Sequence, residues 1–174
     1  MKAIFLDNDG VMCLSTEWGG REKKIKKWKM QNPDSEGYLN DNRIPAWVRM
    51  DSFNMKAVNV LNEIIEKTGA EIVVSSDWKL HCTLEQLQDM FLRYGVCKAP
   101  IATTPNHVLK SMDELESTRV GEIKEWLSQN PSVDKWVAID DLDLSELEFF
   151  VHTKRMKEGL KQSGIKEQVL KLLC

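Results

Sequence analysis

Three places in the chain set oxygen-bearing side chains at the ends of short apolar runs. Lys2 to Leu6 leads into Asp7-Asn8-Asp9-Gly10-Val11, Glu71-Ile72-Val73-Val74 into Ser75-Ser76, and Trp136-Val137-Ala138-Ile139 into Asp140-Asp141. Residues i and i+2 leave a strand on the same side, so Asp7 and Asp9 face one pocket, and Gly10 permits the turn that follows. Two such carboxylates repel unless a cation lies between them, and Mg²⁺, with its oxygen ligands, fits the pair. A carboxylate is also a nucleophile toward phosphorus, giving an aspartyl-phosphate. Asp and Ser are good loop starters, which explains one such cluster; three in this order are harder to assign to turns alone.

The elements that must position these residues read as strands alternating with helices. The three runs, and a fourth at Phe149-Phe150-Val151, are continuous and rich in β-branched or aromatic residues, as strands covered on both faces should be. Between them, Met55, Val58, Leu61, Ile64 and Ile65 form one helical stripe ending at Thr68-Gly69. Leu84, Leu87 and Phe91 form a second ending at Gly95, and Val120, Ile123, Trp126 and Leu127 a third ending at Asn130-Pro131. Ile165, Val169 and Leu172 or Leu173 make a fourth. This alternation predicts an α/β fold with a doubly wound parallel sheet, in which ligands collect outside the carboxyl ends of the strands.

The 174 residues (20.0 kDa) fit one domain, 1–174. No apolar run approaches the roughly 18 residues of a membrane span, and the N-terminal apolar stretch is too short for a secretory signal. The expected compartment is the cytosol, with no membrane partner. Cys13, Cys82, Cys97 and Cys174 have no metal-ligand spacing and read as reduced thiols, Cys82 and Cys97 packed among apolar neighbours. The three histidines are equally scattered, which leaves a Ser-His-Asp or Cys-His apparatus without support.

Residues 12–53 are too long for a strand-to-helix loop and read as a small lid or cap inserted after the first strand. Net charge is −3, yet six of the 24 basic residues fall between Arg21 and Lys29, against one of the 27 acids. Arg21, Lys24, Lys27 and Trp28 suit a phosphate backbone and a stacked base. They equally suit a solvated amphipathic helix in which Ile25 and Trp28 bury together. Even the latter steers anions toward the pocket.

The ordered set Asp7-x-Asp9-Gly10-Val11, apolar run to Ser75, basic residue at a helix start and apolar run to Asp140-Asp141 resembles the haloacid dehalogenase (HAD) superfamily of phosphohydrolases. Val73-Val74-Ser75-Ser76-Asp77-Trp78-Lys79, Arg119-x-x-Glu122-Ile123, and Phe150-Val151-x-Thr153 with Gly159-Leu160 are similar to the HAD domains associated with Swiss Army Knife RNA-repair proteins. The resemblance implies a Rossmann-like core with the cap over its active site. It implies Asp7 as nucleophile, Asp9 as general acid/base with its backbone carbonyl on Mg²⁺, and Ser75, or the adjacent Ser76, as the donor to a phosphate oxygen. Asp141 is then a metal ligand, with Asp140 assisting and Asp143 a substitute in a hydrated shell.

The counter-charge must come from Lys110, Arg119 or Lys124. At 100° per residue, the apolar stripe of the third helix centres about 50° from Arg119 and about 90° from Lys124. Arg119 also sits in the first helical turn, nearest the ligand end, and its planar fork suits phosphate oxygens. Asp113, Glu114 and Glu116 read as acids favoured by the helix dipole. The expected function is a Mg²⁺-dependent phosphomonoesterase acting on a small phosphorylated substrate, a nucleotide or a nucleic-acid phosphate end. The alternative is a catalytically idle HAD-like module that binds RNA or protein through the basic cap at residues 21–29.

Overall fold

In the computed structural model, which describes residues 1–35, 44–108 and 111–174, the apolar runs form parallel strands. These are β1 (Lys2–Leu6), β2 (Glu71–Val74), β3 (Ala102–Thr103), β4 (Lys135–Asp140) and β5 (Phe150–His152). They lie in one sheet in the order β3-β2-β1-β4-β5. The chain starts at the centre and winds outward in both directions, the doubly wound arrangement the alternation predicts. Strand β3 is not among the expected runs, because two residues with no apolar run around them carry too little pattern. Here Ile101 N–H and Thr104 N–H bond to Ile72 O and Val74 O and so extend the ladder.

Strand alternation divides the core. Ile4, Leu6, Ile72, Val74, Val137 and Ile139 face one layer, packed against α3 (Met55–Thr68), α4 (Leu84–Arg93) and α6 (Ile165–Leu173). Ala3, Phe5, Val73 and Ala138 face the other, against Val120, Ile123 and Trp126 of α5 (Leu115–Gln129). The next residue of the second set on β1 is Asp7 and on β4 is Asp140, so the period of two aims both carboxylates at the α5 side of the sheet. Helix ends follow their caps. Asn54 Oδ1 accepts from Lys56 N–H and Ala57 N–H at the start of α3, Gly69 closes it at φ 69°, and Thr83 with Gln86 forms a capping box on α4.

The segment after β1 is anchored at both of its ends. Val11, Met12, Cys13 and Leu14 are fully buried, as are Ile44 and Val48, and Asn54 N–H bonds to Met12 O at 2.8 Å. Helices α1 (Arg21–Gln31) and α2 (Ala46–Arg49) lie between. Gly20 offers α1 no capping side chain, so Asp51 does so from the far end of the segment, accepting from Gly19 N–H at 3.3 Å and Arg21 N–H at 2.9 Å. No residue of α1 is buried; Ile25 and Trp28 are half-covered together.

Two further expectations change. Cys97 is exposed, because Val96 takes the inward position while the Cys97 N–H turns to Asn62 Oδ1; Cys82 is buried as expected. Helix α5 starts at Leu115, so Arg119 stands in its second turn rather than its first, and Glu116 lies within the helix. Among the described residues no helix is long and apolar enough to cross a membrane.

Candidate active site

The ends of β1 and β4 bring Asp7, Asp140 and Asp141 together, with one carboxylate oxygen from each inside 4.8 Å of the others. Asp7 and Asp140 are 5% and 1% exposed. Burial holds the Asp7 carboxyl well above the ordinary carboxylate range; Asp140 pushes it further, and Arg119 and the Ser76 hydroxyl oppose the shift. Burial likewise raises Asp140, against the pull of Arg119. Asp141 is pushed up to about 6, by burial and then by Asp140. A site of three such oxygens is short of positive charge, and a hard divalent cation with oxygen ligands fits it.

The turn that builds this cluster rests on two glycines. Asn8 O accepts from Met12 N–H at 2.9 Å and Cys13 N–H at 2.7 Å, and this tight coil requires Gly10 at φ 71°. A Cβ on Gly10 would lie 2.6 Å from Asp141 Cγ, closer than any real contact. Gly159 is needed for the same loop from below: a Cβ there would strike Leu14, Val11 O and Gly10 O, while Leu160 N–H bonds to Val11 O at 3.0 Å.

Arg119 supplies the positive charge. Its Nη1 donates to Asp7 Oδ1 at 3.1 Å and Asp140 Oδ2 at 2.8 Å, and its Nη2 to Asp77 Oδ1 at 2.8 Å. Burial works against that charge, but Asp7, Asp140 and Asp77 outweigh it and raise the guanidinium further above its ordinary value. Lys124 is solvent-exposed, 4.0 Å from Glu146, and Lys110 lies outside the described residues. Of the two serines, Ser76 offers its hydroxyl toward Asp7 and accepts from Trp78 N–H, whereas Ser75 is 1% exposed with its Oγ unpartnered among the described residues.

Asp9 faces outward. Trp78 Nε1–H donates to its Oδ2 at 2.7 Å. The residue is open to solvent along one edge, yet desolvation of the carboxyl raises it above the ordinary value against the Trp78 bond, with Asp51 adding to the rise. Phe53, at the end of the inserted segment, stacks on Trp78 at 5.7 Å and so fixes the indole. Asp143 stands apart from the cluster, exposed and bonded to Ser145 N–H.

Of the predicted cap residues, Lys24 is already engaged. Its Nζ donates to Trp47 O at 2.9 Å, to Met50 O at 2.5 Å and to the Ser52 and Tyr94 hydroxyls, pinning α1 to the body. Arg21 and Lys27 are exposed, and Trp28 is half-buried. Four residues outside the expected catalytic set complete the site: Asp77 and Trp78, and the buried Lys79–Glu122 pair behind Arg119. Lys79 Nζ also bonds to Thr104 Oγ1 at 2.8 Å and Pro105 O at 3.0 Å, which turns it away from the acids. The Ser75-Ser76-Asp77-Trp78-Lys79 and Arg119-x-x-Glu122 motifs mark these residues, whereas the meeting of the Trp78 indole N–H with Asp9, 69 residues away, has no local signal.

No curated protein and no solved structure matches the chain. Residues 3–165, from the first strand to the last helix, match the family described as the HAD domain in Swiss Army Knife RNA repair proteins. With the match reaching every strand and spanning every acid of the cluster, the chain belongs to that HAD family.

Proposed function

We propose that the protein is a Mg²⁺-dependent phosphatase that acts through an aspartyl-phosphate, on a nucleotide or a nucleic-acid phosphate end. The observation that carries this reading is the Asp7 carboxylate, clustered with Asp140 and Asp141 and held by Arg119 at the carboxyl end of a parallel sheet. Asp7, Asp140 and Asp141 would hold the cation, which supplies charge neutralisation for the phosphoryl oxygens. Asp7 attacks phosphorus in line. Arg119 keeps the attacking carboxylate in place and offers its fork to the developing charge, with the Ser76 hydroxyl beside Asp7 taking a phosphoryl oxygen.

Asp9 manages the proton. The indole N–H of Trp78 can only donate, so Asp9 Oδ2 must accept and the acid proton resides on Oδ1. The raised pKa keeps that proton available for the leaving alkoxide; the resulting carboxylate then deprotonates the water that hydrolyses the aspartyl-phosphate. The exposed Arg21 and Lys27 steer anionic substrates, while Lys24 maintains the position of the helix that carries them.

The test is phosphate release from p-nitrophenyl phosphate and from nucleoside 3′-monophosphates, in Mg²⁺ and in EDTA. Release that requires Mg²⁺ is the expected result. Absence of release from the nucleotides as well as the ester would leave the basic segment as a binding surface and end the phosphatase reading. Gly10→Ala should weaken the response to Mg²⁺ by roughly 10–100-fold, as displacing a ligand's support does. Its melting temperature against Mg²⁺ concentration measures this, and a wild-type midpoint would refute the role of the close Gly10–Asp141 approach.

A further inference from the structure

An open groove of about 490 Å³ runs from Asp9 to the start of α1, lined by Asp9, Trp18, Gly19, Arg21, Glu22 and Asp51. Trp18 is the exposed tryptophan of the six, at 46%; Trp78 and Trp126 are buried and Trp28, Trp47 and Trp136 half-covered. An indole face left in solvent beside the acid that protonates the leaving group offers a stacking surface to a flat π-system.

The charges of the groove select among flat occupants. With Asp9 holding its acid proton, Glu22 and Asp51 still outnumber Arg21, and Asp51 already fills the N-terminus of α1 through Gly19 N–H and Arg21 N–H. A second phosphate is therefore disfavoured there. An uncharged group carrying hydrogen-bond donors, such as ribose hydroxyls or exocyclic amines, is favoured, because carboxylates only accept.

Resting on the phosphatase reading of the same site, we propose that this groove binds the nucleoside part of the substrate, with the base stacked on Trp18 and ribose or base donors directed at the carboxylates of Asp51 and Glu22. The stacking residue is then Trp18 rather than Trp28, and the leaving group is a nucleoside alcohol delivered to Asp9. Lys23, Lys26 and Lys27 of α1 are exposed and outside the groove lining, where further phosphates of a longer strand would run.

Two measurements test this. First, the ratio of kcat/KM for adenosine 3′-monophosphate to that for glycerol 2-phosphate should fall roughly tenfold to a hundredfold in Trp18→Ala, and recover most of that loss in Trp18→Phe. An unchanged ratio overturns the proposal. Second, adenosine alone, titrated into the wild-type protein, should shift the Trp18 indole N–H resonance, identified by its loss in Trp18→Ala. No shift up to the solubility limit of adenosine also overturns it. The two readings separate cleanly: an indole shift without phosphate release from any ester keeps the nucleoside site and discards the phosphatase, while turnover with neither preference nor shift does the reverse.

Discussion

Asp7→Asn should abolish turnover and, without Mg²⁺, raise the melting temperature. The first effect follows from removing the nucleophile: an amide does not form the aspartyl-phosphate, and losses on the order of 10⁴-fold or more are usual for such a residue. The second follows from the electrostatics. Burial and Asp140 hold the Asp7 carboxyl well above its ordinary value, so its ionised form opposes folding. A carboxyl raised in the fold is neutral in both states only at low pH; as pH climbs through the unfolded value the unfolded chain releases its proton first, and stability falls. Asparagine keeps an oxygen for Arg119 and removes the charge. In EDTA at pH 7.5 the variant should therefore melt above the wild type, and the gap should close toward pH 5. With Mg²⁺ the order should narrow or reverse, since the wild type gains the larger stabilisation. Wild-type turnover in the variant sinks the nucleophile assignment. A lower melting point in EDTA at pH 7.5 shows instead that the Arg119–Asp7 ion pair outweighs the repulsion.

How far the site was legible follows from what each residue needs. Asp7, Asp140 and Asp141 end apolar runs, and strand alternation alone aims Asp7 and Asp140 to the face covered by α5; both facts are local and visible in the sequence. Arg119 was reachable from the helical period, although the helix begins one turn earlier than the apolar stripe announces, because Leu115 to Thr118 add only sparse apolar pattern. Which of Ser75 and Ser76 turns its hydroxyl toward Asp7 depends on how the chain turns after β2, which alternation does not settle.

The inserted segment was harder. Its basic run reads as a uniform surface, yet the fold uses Lys24 as an anchor on backbone carbonyls of residues 47 and 50. Phe53, Trp78 and Asp9 form a relay in which a cap residue fixes an indole and the indole fixes the acid, two contacts across long sequence separations. The motifs name Asp9 and Trp78, but that they meet, and that Phe53 holds the indole, is set by tertiary packing that no period or motif records. The same holds for Trp18, one of six tryptophans and distinguished only by which face the fold leaves open.

Replacing Arg119 should be the most damaging single change to the fold of the site. Its Nη1 serves Asp7 and Asp140 at once and its Nη2 serves Asp77, so one 4%-exposed guanidinium stands against three carboxylates. Removing one member of a buried ion cluster leaves the others uncompensated, at a cost of about 3–5 kcal/mol. Arg119→Met should show that loss by urea denaturation at pH 7.5 in EDTA. Two conditions should reduce it. Lowering the pH toward 5 protonates carboxyls whose folded values are raised, which removes the repulsion that Arg119 offsets. Adding Mg²⁺ supplies positive charge to the same oxygens. Arg119→Lys keeps a charge but not the fork, so it should recover part of the stability while turnover stays well below wild type, because a single ammonium cannot span Asp7, Asp140 and Asp77 together. If Arg119→Met were as stable as wild type at pH 7.5 without Mg²⁺, the three acids would not depend on this residue, and its assignment as the counter-charge of the site would be wrong.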